Sequence, residues 1–227
     1  MSALALARLL QLASPALPVG AYTYSQGLEW AVECGDVRDE ASTGRWIADL
    51  LRHAIGRFEA PLVAALMRAW ATNDTAEIAR LNAEFLASRE SVELRAETVQ
   101  MGFSLRRLIA DLREEALTPV ATALQPLPEL AFPTAWAGIA QVWGIPPADA
   151  VQAYLWSWAE NQVMAALKAV PLGQAAGQRL LAALGAQLPA LAEQALHLPE
   201  SAWANLTPAF AITSARHETQ YSRLFRS

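Results

Sequence analysis

Apolar residues recur at three- and four-residue intervals along almost the whole chain, the pattern of amphipathic helices. The period is clearest from Glu90 to Ala116, where Val92, Val99, Phe103, Leu105, Leu108, Ile109 and Leu112 mark one long helix. Upstream, the pattern predicts helices over Ala3–Ala13 and Ser25–Cys34, with Gly35 as a stop. Ser42 or Thr43 can cap a further helix running to about Ile55. Pro61 suits the first position of a helix over Leu62–Ala71, and Asn73-Asp74-Thr75 separates that helix from Ala76–Ser88. Downstream come Thr134–Trp143, Pro147–Val170 and Gly173–Leu196, the last kinked or broken at Pro189.

Between these elements, Ser14–Gly20 is a loop by its prolines and glycine. Thr118 to Pro133 carries Pro119, Pro126, Pro128 and Pro133 and reads as an irregular connector with at most a short turn of helix. No stretch shows the alternation and Val, Ile and Thr enrichment of a strand. The expected architecture is an all-α, single-domain bundle of about eight to ten helices over residues 1–207, followed by a polar C-terminal tail over 208–227.

Composition changes this picture in one respect. The 227 residues are 54% hydrophobic and only 17% charged, whereas a typical soluble domain has about 25% charged residues. A membrane span would need about 20 consecutive apolar residues. The nearest candidate, Ala150 to Val170, is broken by Gln152, Glu160, Asn161, Gln162 and Lys168. Met1–Ala13 lacks a basic leader, and Arg8 and Gln11 interrupt it, so it does not read as a signal peptide. A cytoplasmic protein with more apolar surface than it buries alone is expected, hence an oligomer or a member of a complex. The net charge of −5 and the lack of a basic stripe argue against nucleic-acid binding. Cys34 is the only cysteine, which excludes an internal disulfide and a thiolate zinc knuckle.

Catalytic patterns are missing. There is no phosphate-binding G-x-x-x-x-G-K-[ST] loop, no G-x-S-x-G elbow and no H-E-x-x-H pair. His53, His197 and His217 are isolated from one another, and Glu193 and His197 are four apart with no second set, so no metal site and no catalytic residue are expected. Trp143, Trp156 and Trp158 serve either core packing or a partner hot spot. Lys168 is the only lysine and lies on an apolar helix; it either snorkels at the helix end or contacts a partner's carboxylate or phosphate. The tail mixes Arg216, Arg223 and Arg226 with Tyr221, Leu224 and Phe225, a composition suited to ordering on a partner, with disorder or docking on its own chain as the alternatives.

Four segments carry a resemblance. Leu9 to Gly20 with Tyr22 to Glu29, Ser88 to Arg95 with Gln100-Met101-Gly102, Ser157 to Gln174, and above all Ser214 to Ser227 resemble, in order, the UreF family of urease accessory proteins. One departure is Ala21, where many members carry a second glycine after Gly20. The resemblance implies an all-helical, dimeric, non-enzymatic protein. It implies partnership with the accessory protein UreD (UreH in some organisms), the GTPase UreG and apo-urease, and nickel in transit through the complex without a permanent site. It makes Glu29 and Lys168 candidate GTPase-facing or passage residues, and Arg216, His217, Tyr221, Arg223 and Phe225 candidate UreD/UreH contacts. It also leaves a GTPase-activating or fidelity role open, with Arg89, Arg95 and Arg179 as possible arginine fingers.

Overall fold

In a computed structural model, which describes residues 1–205 and 207–227, every regular element among them is helical. The α-helical segments are α1 (Ala3–Ala13), α2 (Leu28–Glu33), α3 (Glu40–Leu50), α4 (Ala60–Ala71), α5 (Thr75–Ala87), α6 (Val92–Leu112), α7 (Thr118–Leu124), α8 (Phe132–Val142), α9 (Pro147–Ala169), α10 (Gln174–Gly185), α11 (Leu188–His197) and α12 (Pro208–His217). The all-α architecture is the one that the periodicity predicts.

Local chemistry sets most boundaries. Asp39, not Ser42 or Thr43, caps α3: its carboxylate accepts from Ser42 N at 2.8 Å, while the Ser42 hydroxyl oxygen accepts from Asp39 N at 3.1 Å. Asp74 and Ser91 cap α5 and α6 in the same way, through Glu77 N and Leu94 N. Pro189 does not kink one helix; it stands in the first turn of a separate one, α11, where its missing N–H costs nothing. Pro119 does the same for α7, so part of the proline-rich connector is a two-turn helix anchored by Val120 and Leu124. Pro61 lies inside a longer rod. The helix that starts at Glu40 passes through a π-helical segment, Leu51–Glu59, and continues as α4.

Helix α4 forms the centre. Only Arg68 and Ala71 escape burial along it, and a helix that is apolar all round has to be wrapped on every side. Helices α5, α8, α9 and α11 do the wrapping, and α6 packs behind α8. A smaller apolar cluster lies at the far end of α9: Leu28, Ala31 and Val37 meet Ala165, Ala166, Val170 and Phe225. Helix α12 reaches this end by packing on α2 and α6.

Some apolar surface stays open. Leu4, Leu6 and Leu10 of α1 and Val92 and Phe103 of α6 face solvent. Phe103 belongs to the predicted apolar stripe of α6, but Leu94, Met101, Leu105 and Ile109 form its buried face. No helix among the described residues is long and apolar enough to cross a membrane.

Candidate functional site

Two successive left-handed residues, Gln26 (φ 53°) and Gly27 (φ 79°), turn the chain into α2. Glycine is needed at the second: besides the positive φ, a Cβ there would stand 3.0 Å from Ser214 N of α12. The turn aims the N–H groups of Ser25 and Gln26 at one acceptor, a main-chain oxygen of Ser227, at 2.6 and 3.0 Å. The Ser25 hydroxyl donates to the same oxygen at 2.6 Å. Arg226 N donates to Thr23 O at 2.8 Å. Residues at opposite ends of the sequence are thus joined by main-chain hydrogen bonds.

Glu29 lies in the first turn of α2 and is 7% exposed. Its Oε1 accepts from Leu224 N at 2.6 Å and its Oε2 from Phe225 N at 3.0 Å. The buried His217 ring lies between two carboxylates, with Nε2 3.2 Å from Glu29 Oε2 and Nδ1 2.6 Å from Glu93 Oε2. Arg223 closes the group on Glu93 Oε1 at 2.6 Å. Glu218 accepts from Val92 N at the start of α6, a backbone donor that the helix cannot satisfy itself. Phe225 fills the smaller apolar cluster, and Lys168 Nζ stands 5.4 Å from its ring and 5.7 Å from that of Tyr22.

Five of the residues singled out in the sequence, Glu29, Lys168, His217, Arg223 and Phe225, therefore meet at one place. Arg216 and Tyr221 do not join them. Both side chains project into solvent, Tyr221 fully, and Ile212 and Leu224 are exposed as well. The tail has an inner face of anchors and an outer face of apolar and basic groups.

A cavity of about 160 Å³ adjoins this seat, and Gln26, Glu97, Tyr22 and Lys168 belong to both. Its apolar wall comes from Leu12, Leu17, Val19, Met101 and Phe132. Its polar wall has two carboxylates with opposite surroundings. Glu59, at the end of the π segment, is ion-paired with Arg89 at 2.7 Å and accepts from the Tyr154 hydroxyl at 2.8 Å. Glu97 has no such cation: its oxygens accept from Gln26 Nε2 at 2.7 Å and from Ser227 Oγ at 2.9 Å. Burial pushes its carboxyl up to about 7. Gln26 in turn accepts from Trp158 Nε1 at 2.7 Å. Burial also raises the Tyr154 hydroxyl well above its usual range, with the Glu59 charge adding to the effect, and raises Glu160 at the cavity rim.

Sequence reading passed over Glu59, Glu97 and Gln26. For Glu97 a signal was present: it lies on the same helical face as Leu94, Met101 and Leu105, where a charge is out of place. Of the possible arginine fingers, Arg89 is buried in its pair with Glu59, while Arg95 and Arg179 hold Glu129 and Glu40 at the surface. No group of three or more His, Cys, Asp or Glu side chains suited to a metal ion occurs among the described residues.

Comparison with known proteins places this geometry. The UreF family profile matches residues 37–185. The chain is 72% identical over 224 residues to the urease accessory protein UreF of Dechloromonas aromatica (strain RCB), covering 99% of this chain and 98% of the relative. The chain belongs to the UreF family. The UreF of Azoarcus sp. (strain BH72) is 67% identical over 225 residues, 99% of this chain and 96% of that one. The UreF of Janthinobacterium sp. (strain Marseille) is 48% identical across the full length of both. As a UreF protein the chain is a urease accessory protein, not a urease. The family profile ends at residue 185, but these UreF relatives align through the tail seat as well.

Proposed function

We propose that this chain is a cytoplasmic scaffold and adaptor in the complex with UreD/UreH and the GTPase UreG that delivers nickel to apo-urease. It catalyses no reaction itself. Nickel is the cargo of the complex and has no permanent site in this chain.

The observation that carries this reading is the two-faced tail. Glu29, His217 and Phe225 fix its inner face, while Tyr221, Leu224 and Ile212 stand exposed among Arg216, Arg223 and Arg226. Exposed aromatic and aliphatic groups rimmed by arginine are the composition of a protein-binding hot spot. A pre-ordered segment also loses less entropy on binding than a disordered one. Helix α1, with Leu4, Leu6 and Leu10 uncovered, supports a homodimer on another face.

Co-purification with UreD/UreH and then UreG, read by light scattering, tests the proposal. The intact chain is expected to form a stable assembly with two copies of each accessory protein. A chain lacking Glu218–Ser227, or carrying Tyr221→Ala with Leu224→Ala, is expected to stay helical and lose it. Undiminished assembly by both variants would remove the tail from the interface. No assembly with the intact chain would remove the adaptor reading.

A further inference from the structure

Two buried carboxylates stand on either side of the docked tail and are treated differently. Glu29 is met by an imidazole and two backbone N–H groups. Glu97, 6% exposed, meets only the uncharged donors Gln26 and Ser227. A carboxylate held only by neutral donors in a water-poor site is poorly stabilised as an anion.

Among the described residues no cation is bonded to Glu97, although Lys168 lines the same cavity and Arg226 stands on the docked tail. On the cavity side, the Arg89 guanidinium is bonded to Glu59, whose own charge disfavours a second anion nearby. The Tyr154 hydroxyl, on α9, is bonded to Glu59 as well. Tyr24 lies on the turn before α2; burial raises its hydroxyl, the Glu97 charge adds to this, and Arg226 of the tail opposes it. Glu29 of α2 and Glu93, His217 and Arg223 form their own closed group. What covers Glu97 on the remaining side is the tail end itself, through Ser227.

We propose that Glu97 makes the seating of the tail proton-linked: it holds a proton while residues 224–227 are docked and releases it when they leave. Gln26 couples the two events, because its backbone N–H holds the Ser227 main-chain oxygen and its side chain holds Glu97 and Trp158. Docking buries the carboxyl; undocking lets water reach it from the tail side. In water a glutamate titrates at about 4.3, against about 7 when docked. Docking takes up a proton between those limits. The tail is therefore held most firmly below about pH 5, loosens as the pH rises toward 7, and changes little above it. A partner that binds the outer face of the docked tail would accordingly be held more firmly as the medium becomes more acidic.

The test uses the full chain. Amide exchange of Leu224, Phe225 and Arg226, corrected for intrinsic rates, is followed from pH 5.5 to 8. Protection is expected to fall at least tenfold across this range, and Glu97→Gln, which is neutral at every pH, is expected to flatten the profile. Protection independent of pH, or the same slope in Glu97→Gln, would overturn the proposal. Because that variant alters a buried site, the Glu97 carboxyl carbon is also titrated by NMR with and without residues 224–227. The midpoint is expected to drop by at least one pH unit on removal of the tail end; an unchanged midpoint would equally overturn the proposal.

Discussion

The ring of His217 bridges Glu29, 188 residues earlier, and Glu93, 124 residues earlier, with its two nitrogens 3.2 and 2.6 Å from their carboxylates. One side chain thereby ties the C-terminal segment to both α2 and α6. Glu29 does most to hold the segment, since it also accepts from Leu224 N and Phe225 N.

Replacing Glu29 by alanine is therefore expected to free the tail without unfolding the bundle. The change strips the acceptor from two backbone N–H groups and from a buried imidazole nitrogen, a loss of about 1–3 kcal/mol for each buried polar group left unpaired. The main core, from Leu12 to Phe210, does not depend on these contacts. Circular dichroism should retain the helical signal while amide protection of residues 223–227 collapses. Retained protection would show that Phe225 and the Ser227 contacts suffice.

Arg89→Ala tests the cavity wall. The substitution leaves Glu59 buried with only the Tyr154 hydroxyl and removes a guanidinium stacked 4.2 Å from the Phe85 ring. An orphaned buried carboxylate costs about 3–5 kcal/mol, which for a chain of this size lowers Tm by roughly 6–20 °C. Combining it with Glu59→Gln should recover part of the loss. A Tm within about 3 °C of the parent, the scale of roughly 1 kcal/mol, would mean that water reaches Glu59 freely.

Gly102→Ala should be among the most damaging small substitutions. A Cβ at this position of α6 would lie 1.9 Å from the Leu130 carbonyl oxygen, a backbone atom that cannot swing aside. Helix and connector would have to separate, at a cost of about 3 kcal/mol. Urea unfolding reads this directly, and an unchanged midpoint would show that the contact relaxes at little expense.

Lys168→Ala is expected to behave in the opposite way. The ammonium is exposed, donates to Tyr22 O at 3.3 Å and lies over two aromatic rings, contacts worth about 1 kcal/mol or less at a surface. Stability should hardly change, while recruitment of UreG to the preformed complex weakens in a pull-down. A large loss of helical signal would instead make Lys168 a structural residue.

The chain's sequence by itself determined the helices, because their signals are local. Apolar spacing on α6, the proline opening α9, and the breakers at Gly35 and Asn73 act within a few residues. It also carried enough residue identity, above all in the last fourteen residues, to mark the family and single out Glu29, Lys168 and His217. Only the tertiary structure decided that those three meet, since the contact between Glu29 and His217 spans 188 positions and depends on how α2, α6 and α12 pack. The π segment, the left-handed Gln26 and the roles of Glu59 and Glu97 were likewise decided by packing. A carboxylate has the same local preference whether an arginine faces it or not; its charge is set by neighbours that the fold brings from elsewhere in the chain.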